Sequence, residues 1–142
     1  QSPGEDDKSI LYNDLDTESS DIDKEYEINK QVFQKLDSLI RRDELYLSAD
    51  LSREDLVRMA HMNNTRFAKM IKENTGTNLS GYINELRLNH AIHLLKEHPE
   101  YTLRAIAEAS GINSMPTFHS LFKNKTGMTP SEFKKTQLDM KQ

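Results

Sequence analysis

The first periodic stretch of the chain lies between residues 24 and 44. Its apolar residues recur at spacings of one, three and four positions, which places them on one face of an α-helix. Glutamates near the start and arginines near the end match the helix dipole. We therefore predict an amphipathic helix that packs on the following domain, with an exposed dimerisation helix as the alternative. The stripe consists of Ile28, Val32, Phe33, Leu36, Leu39 and Ile40.

The second pattern is an internal repeat. FAKMIKENTG, which begins at Phe67, matches FHSLFKNKTG, which begins at Phe118, at an offset of 51 residues. The upstream segments LVRMAHM (56–62) and IAEASGI (106–112) match at an offset of 50. One residue has therefore been inserted in the second copy's turn. Each copy has the pattern of a short helix, a tight turn and a second helix.

Capping residues support this division. A Ser, Thr or Asn stands where each helix of the two pairs would begin, and a glycine where each second helix would end. These residues are Ser52, Asn63, Thr102 and Ser114 at the starts and Gly76 and Gly127 at the ends. Thr129 to Glu132 also has the spacing of a capping box. His61 stands at the turn position that Gly111 holds in the second copy, where a left-handed histidine costs about 1 kcal/mol.

Apolar spacing between the copies indicates one long helix from Ser80 to about Glu97, ended by His98-Pro99. The sequence therefore predicts an all-α fold. Its parts are a leader (1–23), the amphipathic helix (24–44), a first helix-turn-helix (45–78), a linker helix (79–98), a second helix-turn-helix (99–137) and a tail (138–142).

Composition narrows the class of protein. The chain has 142 residues, of which 35% are hydrophobic and 30% charged. No apolar run approaches the roughly 20 residues of a membrane-spanning helix, and we expect no membrane contact by these residues. The absence of cysteine excludes disulfides and cysteine zinc sites. Because the chain begins at Gln1 without a methionine, we expect it to be a piece of a larger protein.

Charge divides the chain unevenly. Residues 1–50 carry 14 acidic and six basic side chains, whereas residues 51–142 carry nine acidic and 13 basic ones. The leader has eight acidic residues, one lysine and few apolar residues, so we predict that it is disordered. The basic half is suited to an anionic partner, although an ordinary mixed surface has the same charge.

An enzyme would need a site, and the candidates are weak. His90 and His93 lie one helical turn apart and can approach one metal ion, but no further ligand is evident. The sequence contains neither a glycine-rich phosphate loop nor a G-x-S-x-G motif. We expect no enzymatic activity, cofactor or metal.

The second copy carries a more specific signal. Ile106-Ala-Glu-Ala-Ser-Gly111, Phe122-Lys123 and Gly127-Met-Thr-Pro130 resemble the characteristic stretch of the DNA-binding domain of AraC/XylS-family bacterial transcription regulators. The resemblance covers about residues 45–135. Members include stand-alone activators and the C-terminal domains of larger membrane-spanning or two-component sensors. The resemblance implies a cytoplasmic location, double-stranded DNA and RNA polymerase as partners, and a homodimer formed through the parent protein.

The resemblance also implies that the second helix of each pair lies in the DNA major groove. On the first reading helix (63–74), Phe67, Met70 and Ile71 would point inward; on the second (115–125), Phe118, Leu121 and Phe122 would. The residues expected to face bases are Asn64, Thr65, Ala68, Lys69, Met115, Pro116, His119 and Ser120. Those expected to contact phosphates are Asn63, Arg66, Lys72, Ser114, Thr117 and Lys123. Because Met115-Pro116 is not polar, base reading there is expected to rely on apolar contacts or DNA shape. The alternative function is a helical protein-interaction module that does not bind DNA.

Overall fold

The structure, a computed structural model, describes residues 3–141, with side chains from residue 20 onward. This part of the chain is helical, contains no strand and includes a short 3-10 turn at Leu45–Leu47. The all-α prediction is confirmed. The helices are α1 (Pro3–Arg42), α2 (Arg53–Ala60), α3 (Asn64–Thr75), α4 (Leu79–Glu97), α5 (Leu103–Ala109), α6 (Met115–Thr126) and α7 (Pro130–Met140).

Side-chain caps begin the helices where the sequence places them. The Ser52 hydroxyl accepts a 3.1 Å hydrogen bond from the backbone N–H of Asp55, and the Asp55 carboxylate accepts one of 3.1 Å from that of Ser52. This reciprocal pair is a capping box. The predicted caps Asn63, Thr102 and Ser114 likewise accept bonds at the starts of α3, α5 and α6. At Thr129 only half of the predicted box forms, because the Glu132 carboxylate accepts from the Thr129 hydroxyl rather than from its backbone.

Helix ends and turns follow the repeat. Gly76 and Gly127 end α3 and α6 with φ angles of 78° and 79°, in the left-handed region that favours glycine. In the turns inside the pairs, His61 has a φ of 55° and Gly111 one of 82°. The first turn therefore holds a histidine in the strained conformation that the sequence comparison predicts.

Two hydrophobic cores lie along α4, one for each helix pair. Tyr82, Ile83 and Leu86 of α4 belong to the first core, with α1, α2 and α3. Leu88, Ala91 and Leu95 belong to the second core, with α5 and α6. Because α4 contributes to both cores, its own buried residues lie on more than one face of the helix. Among the described residues, no helix has the length and apolar character needed to span a membrane.

Helix α1 differs from the sequence prediction in two ways. It begins at Pro3, so the structure gives a helix over residues 3–23, where the sequence predicts disorder. The segment after Gly4 contains neither glycine nor proline, so nothing interrupts a helix that continues into residues 24–42. The few apolar residues of the leader, Ile10 to Leu15, lie outside the described side chains.

The apolar stripe of α1 also begins later than predicted. Leu36 and Ile40 are buried and Val32 and Phe33 pack against the first core, but Ile28 is 50% exposed. Asn29 takes the buried position, at 1% exposure, because it lies three residues before Val32 on the same face. Further along α1, the Tyr82 hydroxyl donates to Asp37. The Phe33 and Tyr82 rings pack in a T-shaped arrangement with their centroids 5.6 Å apart. Burial is the largest cause that raises the pKa of Tyr82, and the hydrogen bond to Asp37 is the second. The hydroxyl therefore keeps its proton and remains a donor.

Candidate nucleic-acid interface

Helix α3 has one buried face and one exposed polar face. Phe67, Met70 and Ile71 are at most 1% exposed, as the sequence predicts. The opposite face is open to solvent along its whole length. This α3 strip, formed by Asn64, Thr65, Ala68, Lys69 and Lys72, combines amide, hydroxyl, methyl and ammonium groups, which are the groups that recognise base edges in a major groove.

An arginine at the start of α2 holds the first residue of this strip. Arg53 Nε donates to Asn64 Oδ1 and Arg53 Nη2 to the Asn64 carbonyl, both at 3.4 Å. The same guanidinium lies over the Phe67 ring, 5.4 Å from its centroid. Arg53 is therefore anchored on the core and restricts the Asn64 amide, whose Nδ2 keeps both hydrogens free for a ligand.

The two lysines of the strip make local contacts that leave donors free. Lys69 Nζ lies 3.9 Å from the Glu73 carboxylate, with a side chain 56% exposed. Lys72 Nζ donates at 3.1 Å to the carbonyl of Gly76, the residue that caps the end of α3. An ammonium has three hydrogens, so both side chains can donate to DNA without losing these contacts.

Arg66 lies elsewhere, against α1. Its Nε donates at 2.8 Å to Asn29 Oδ1, a hydrogen bond between residues 37 positions apart. Asn29 is buried, and its Nδ2 has no hydrogen-bond partner among the described residues. The guanidinium that sequence reasoning assigned to a phosphate thus has a structural partner, and the Asn29 contact carries no local sequence signal.

Helix α6 repeats the arrangement with a less polar exposed face. Phe118 and Phe122 are fully buried, and Leu121 is half-buried against the second core. The predicted base-facing residues Pro116, His119 and Ser120 are exposed, as are Thr117 and Lys123. Met115 differs, because it is half-buried and packs against the second core. The five exposed residues, Pro116, Thr117, His119, Ser120 and Lys123, are called the α6 strip below.

The caps Asn63 and Ser114 use their acceptors within the protein. Asn63 Oδ1 accepts from the Arg66 backbone N–H at 2.8 Å, and the Ser114 hydroxyl oxygen accepts from that of Thr117 at 3.4 Å. The Asn63 Nδ2 and the Ser114 hydroxyl hydrogen are the donors that these two caps retain. Such donors suit phosphate oxygens.

The histidines considered as metal ligands do not form a site. Among the described residues, no three His, Asp or Glu side chains come together as a metal-binding group. His90 Nδ1 lies 3.2 Å from the Ser110 hydroxyl, while His93 is exposed. Burial lowers the pKa of His90 below its ordinary value, which favours the neutral ring.

Comparison with known proteins identifies the same helix-turn-helix arrangement. A helix-turn-helix domain family matches residues 56–136, which is more than half of the chain. The chain is 39% identical over 80 residues to an uncharacterised transcriptional regulatory protein, YesN of Bacillus subtilis, covering 56% of this chain and 22% of that protein. It thus spans about a fifth of that relative's length.

Solved structures have the same fold. The C-terminal domain of a two-component response regulator, yesN of Fusobacterium nucleatum, superposes with a TM-score of 0.65 at 22% identity, covering 73% of this chain and 98% of that one. An AraC-type transcriptional regulator from Chromobacterium violaceum gives 0.65 at 27% identity, covering 76% and 93%. Together with the paired helices and their exposed strips, these matches place the chain in the AraC-type helix-turn-helix family of DNA-binding transcription regulators.

Proposed function

We propose that this chain binds double-stranded DNA sequence-specifically, with α3 and α6 in successive major-groove segments on one face of the duplex. The observation that carries the proposal is the structural repeat. Each helix pair has its own core and turns the second helix's polar face outward, and one uninterrupted helix, α4, joins the pairs. A rigid connection of this kind suits two binding segments at a fixed separation.

The α3 strip carries the more informative chemistry. Lys69 suits guanine, whose O6 and N7 are acceptors, and Asn64 suits adenine through the amide that Arg53 restricts. Thr65 and Ala68 offer methyl groups that fit beside the methyl of thymine. The α6 strip contributes His119 and Ser120 as hydrogen-bonding groups, while Pro116 provides apolar contact and Met115 supports it from the core.

Phosphate contacts are assigned to the donors at the helix flanks. Lys72 and Lys123 are exposed, and the caps Asn63 and Ser114 have donors free beside them. Thr117 adds an exposed hydroxyl on α6. Arg66 uses only its Nε–H on Asn29, so its Nη hydrogens can donate to a phosphate while that bond is kept. Such contacts fix position and contribute affinity without reading sequence.

The experiment starts from a random duplex library, because no target sequence is assumed. We expect selection to yield one motif with two conserved segments about one helical turn, roughly 34 Å, apart. Lys69→Ala should weaken binding and relax the base preference in one segment. Lys123→Ala, which removes an exposed lysine of α6, should weaken binding to all sequences alike. Identical behaviour of the two variants across a panel of sites would contradict these roles.

Salt dependence separates this proposal from a protein-interaction module. Four basic side chains, Arg66, Lys69, Lys72 and Lys123, with Arg53 and Arg104 as two further candidates, offer about four to six contacts. At about −0.9 per phosphate neutralised, the slope of log affinity against log salt should be roughly −3 to −6. Selection without enrichment, together with a slope near zero on mixed duplex DNA, would favour the protein-interaction function. We also propose RNA polymerase as a partner and dimerisation through the parent protein, in keeping with a transcription regulator.

A further inference from the structure

The two helix pairs meet at a polar junction beside the middle of α4. Arg87 of α4 donates from Nε to the Tyr46 carbonyl at 2.6 Å and from Nη2 to the Ser48 carbonyl at 2.7 Å. Both carbonyls belong to the 3-10 turn and the residue after it, and this turn packs Leu45 and Tyr46 against the first core. Arg87 therefore ties the linker helix to the first helix pair.

The turn of the second helix pair abuts the same carbonyl. A Cβ atom added to Gly111 would lie 2.6 Å from the Tyr46 carbonyl oxygen and 2.9 Å from Arg87 Nε. Next to it, the buried Ser110 hydroxyl lies 3.2 Å from His90 Nδ1, and the His90 ring meets the Tyr46 ring edge-on at 6.3 Å. Arg87 thus stands where parts of both helix pairs and the linker converge.

A second polar contact joins α6 to the linker helix and is weaker. Lys125 of α6 and Glu85 of α4 form an ion pair of 3.1 Å, but both side chains are about half exposed, and such pairs contribute little. The two cores are separate along α4. Without the junction, the continuity of α4 alone would fix the angle between the pairs, and a helix can bend or twist along its length.

We propose that Arg87 is a positioning residue that fixes α6 relative to α3 and thereby sets the separation of the two DNA segments that the protein reads. This inference rests on the proposed function for its consequence in DNA binding, whereas its structural part is independent of DNA. The planar guanidinium holds two carbonyls at once, which an ammonium on a flexible stem cannot do with the same geometry. Arg87 needs no contact with DNA for this role.

The structural test uses the absence of cysteine, which lets two labels be placed without background. Spin labels at Thr65→Cys on α3 and Ser120→Cys on α6, both exposed positions, report the distance between the strips. We expect one narrow distance in the labelled parent and a broadened or shifted distribution with Arg87→Gln. Arg58→Gln is the matched control. The Arg58 side chain is 76% exposed, and its replacement removes an ion pair with Asp55 in which the charged atoms are 3.8 Å apart.

Gly111→Ala tests the same junction from the second helix pair. Its added Cβ would crowd the Tyr46 carbonyl, so the distance should shift even though Arg87 is intact. Arg87→Lys should restore part of the narrow distribution. Helix content by circular dichroism accompanies each variant, and Arg87→Lys takes the place of Arg87→Gln if the latter does not fold. An unchanged distribution in folded Arg87 variants and in Gly111→Ala would overturn the proposal.

The DNA test compares the duplex selected above with a version in which one segment is scrambled. For the parent protein, the intact duplex should bind more tightly than the scrambled one. With Arg87→Gln, we expect this advantage to fall roughly tenfold or more, because bonds from a charged donor are among the stronger in proteins. Affinity for the scrambled duplex should stay unchanged, which general destabilisation would not allow.

These results distinguish the two proposals. If selection yields no motif but the spin-label distance still depends on Arg87, the proposed function fails and the positioning role stands. If a two-segment motif is found and its advantage is the same in Arg87→Gln as in the parent, the function stands and the positioning role in DNA binding is wrong.

Discussion

Replacing Arg66 by alanine is expected to loosen α1 from the domain, because its guanidinium bonds to the buried Asn29. The substitution leaves Asn29 Oδ1 without its 2.8 Å donor in a residue only 1% exposed, whose Nδ2 already lacks a partner in the part of the chain that the structure describes. An unsatisfied buried polar group of this kind costs about 1–3 kcal/mol. At about 4 °C per kcal/mol for a chain of this size, Tm should fall by roughly 4–12 °C.

Thermal unfolding followed by circular dichroism, with DNA binding measured below the transition, tests this expectation. Lys69→Ala is the matched control, because it truncates an exposed cation of the same helix that does not bond to α1. Its Tm should stay near that of the parent while its DNA affinity falls. The double variant Asn29→Leu with Arg66→Met removes both polar partners and should recover most of the lost stability. If Arg66→Ala leaves Tm unchanged and weakens binding to every duplex, the phosphate role is right and our reasoning is refuted.

Two further predictions concern the ends of α2, and a third concerns the acidic leader. His61→Gly relieves a left-handed residue with a φ of 55° and should raise stability by about 1 kcal/mol in urea unfolding; a loss would mean that the exposed imidazole makes a stabilising contact. Hydrogen bonds from Ser52 lower the pKa of Asp55 below its ordinary 3.8, so the stability it contributes is fully present above that pH and is lost as pH falls through the folded pKa. Asp55→Asn should therefore flatten the acid limb of a stability–pH curve, and an unchanged limb would contradict the assignment. A chain starting at Asp23 should melt at the same temperature as the full chain, because residues 20–24 are exposed, and should bind DNA more tightly at low salt only; a fall of several degrees would mean that the leader is docked.

Short-range features of the fold are the ones that sequence reasoning identified. A cap such as Ser52 acts within three residues, and a glycine such as Gly127 acts at its own φ angle, so both leave local signals. The repeat supplied the rest, because the inward positions of α3 predict those of α6. The exposed positions of both strips could therefore be assigned before the structure, apart from the half-buried Met115.

Contacts between residues far apart in the sequence, and contacts to backbone acceptors, left no such signal. Arg66 bonds to a residue 37 positions earlier, and Arg87 to carbonyls 41 and 39 positions earlier, which any residue type supplies. Asn29 is a different case, since its spacing to Val32 and Leu36 is that of the buried stripe. Because Asn29 is polar, the apolar pattern assigns Ile28 to the stripe instead, one position away from the residue that is buried.

The separation of the two cores has a consequence for how such a protein changes over evolutionary time. Phe67 supports the α3 strip and Phe118 the α6 strip, and the two rings belong to different cores. Substitutions that do not share partners act additively, so mutations that alter one strip need not be compensated in the other. Under the proposed function, new target sequences can then arise one segment at a time, because the unaltered segment retains affinity on which selection can act in the intermediate.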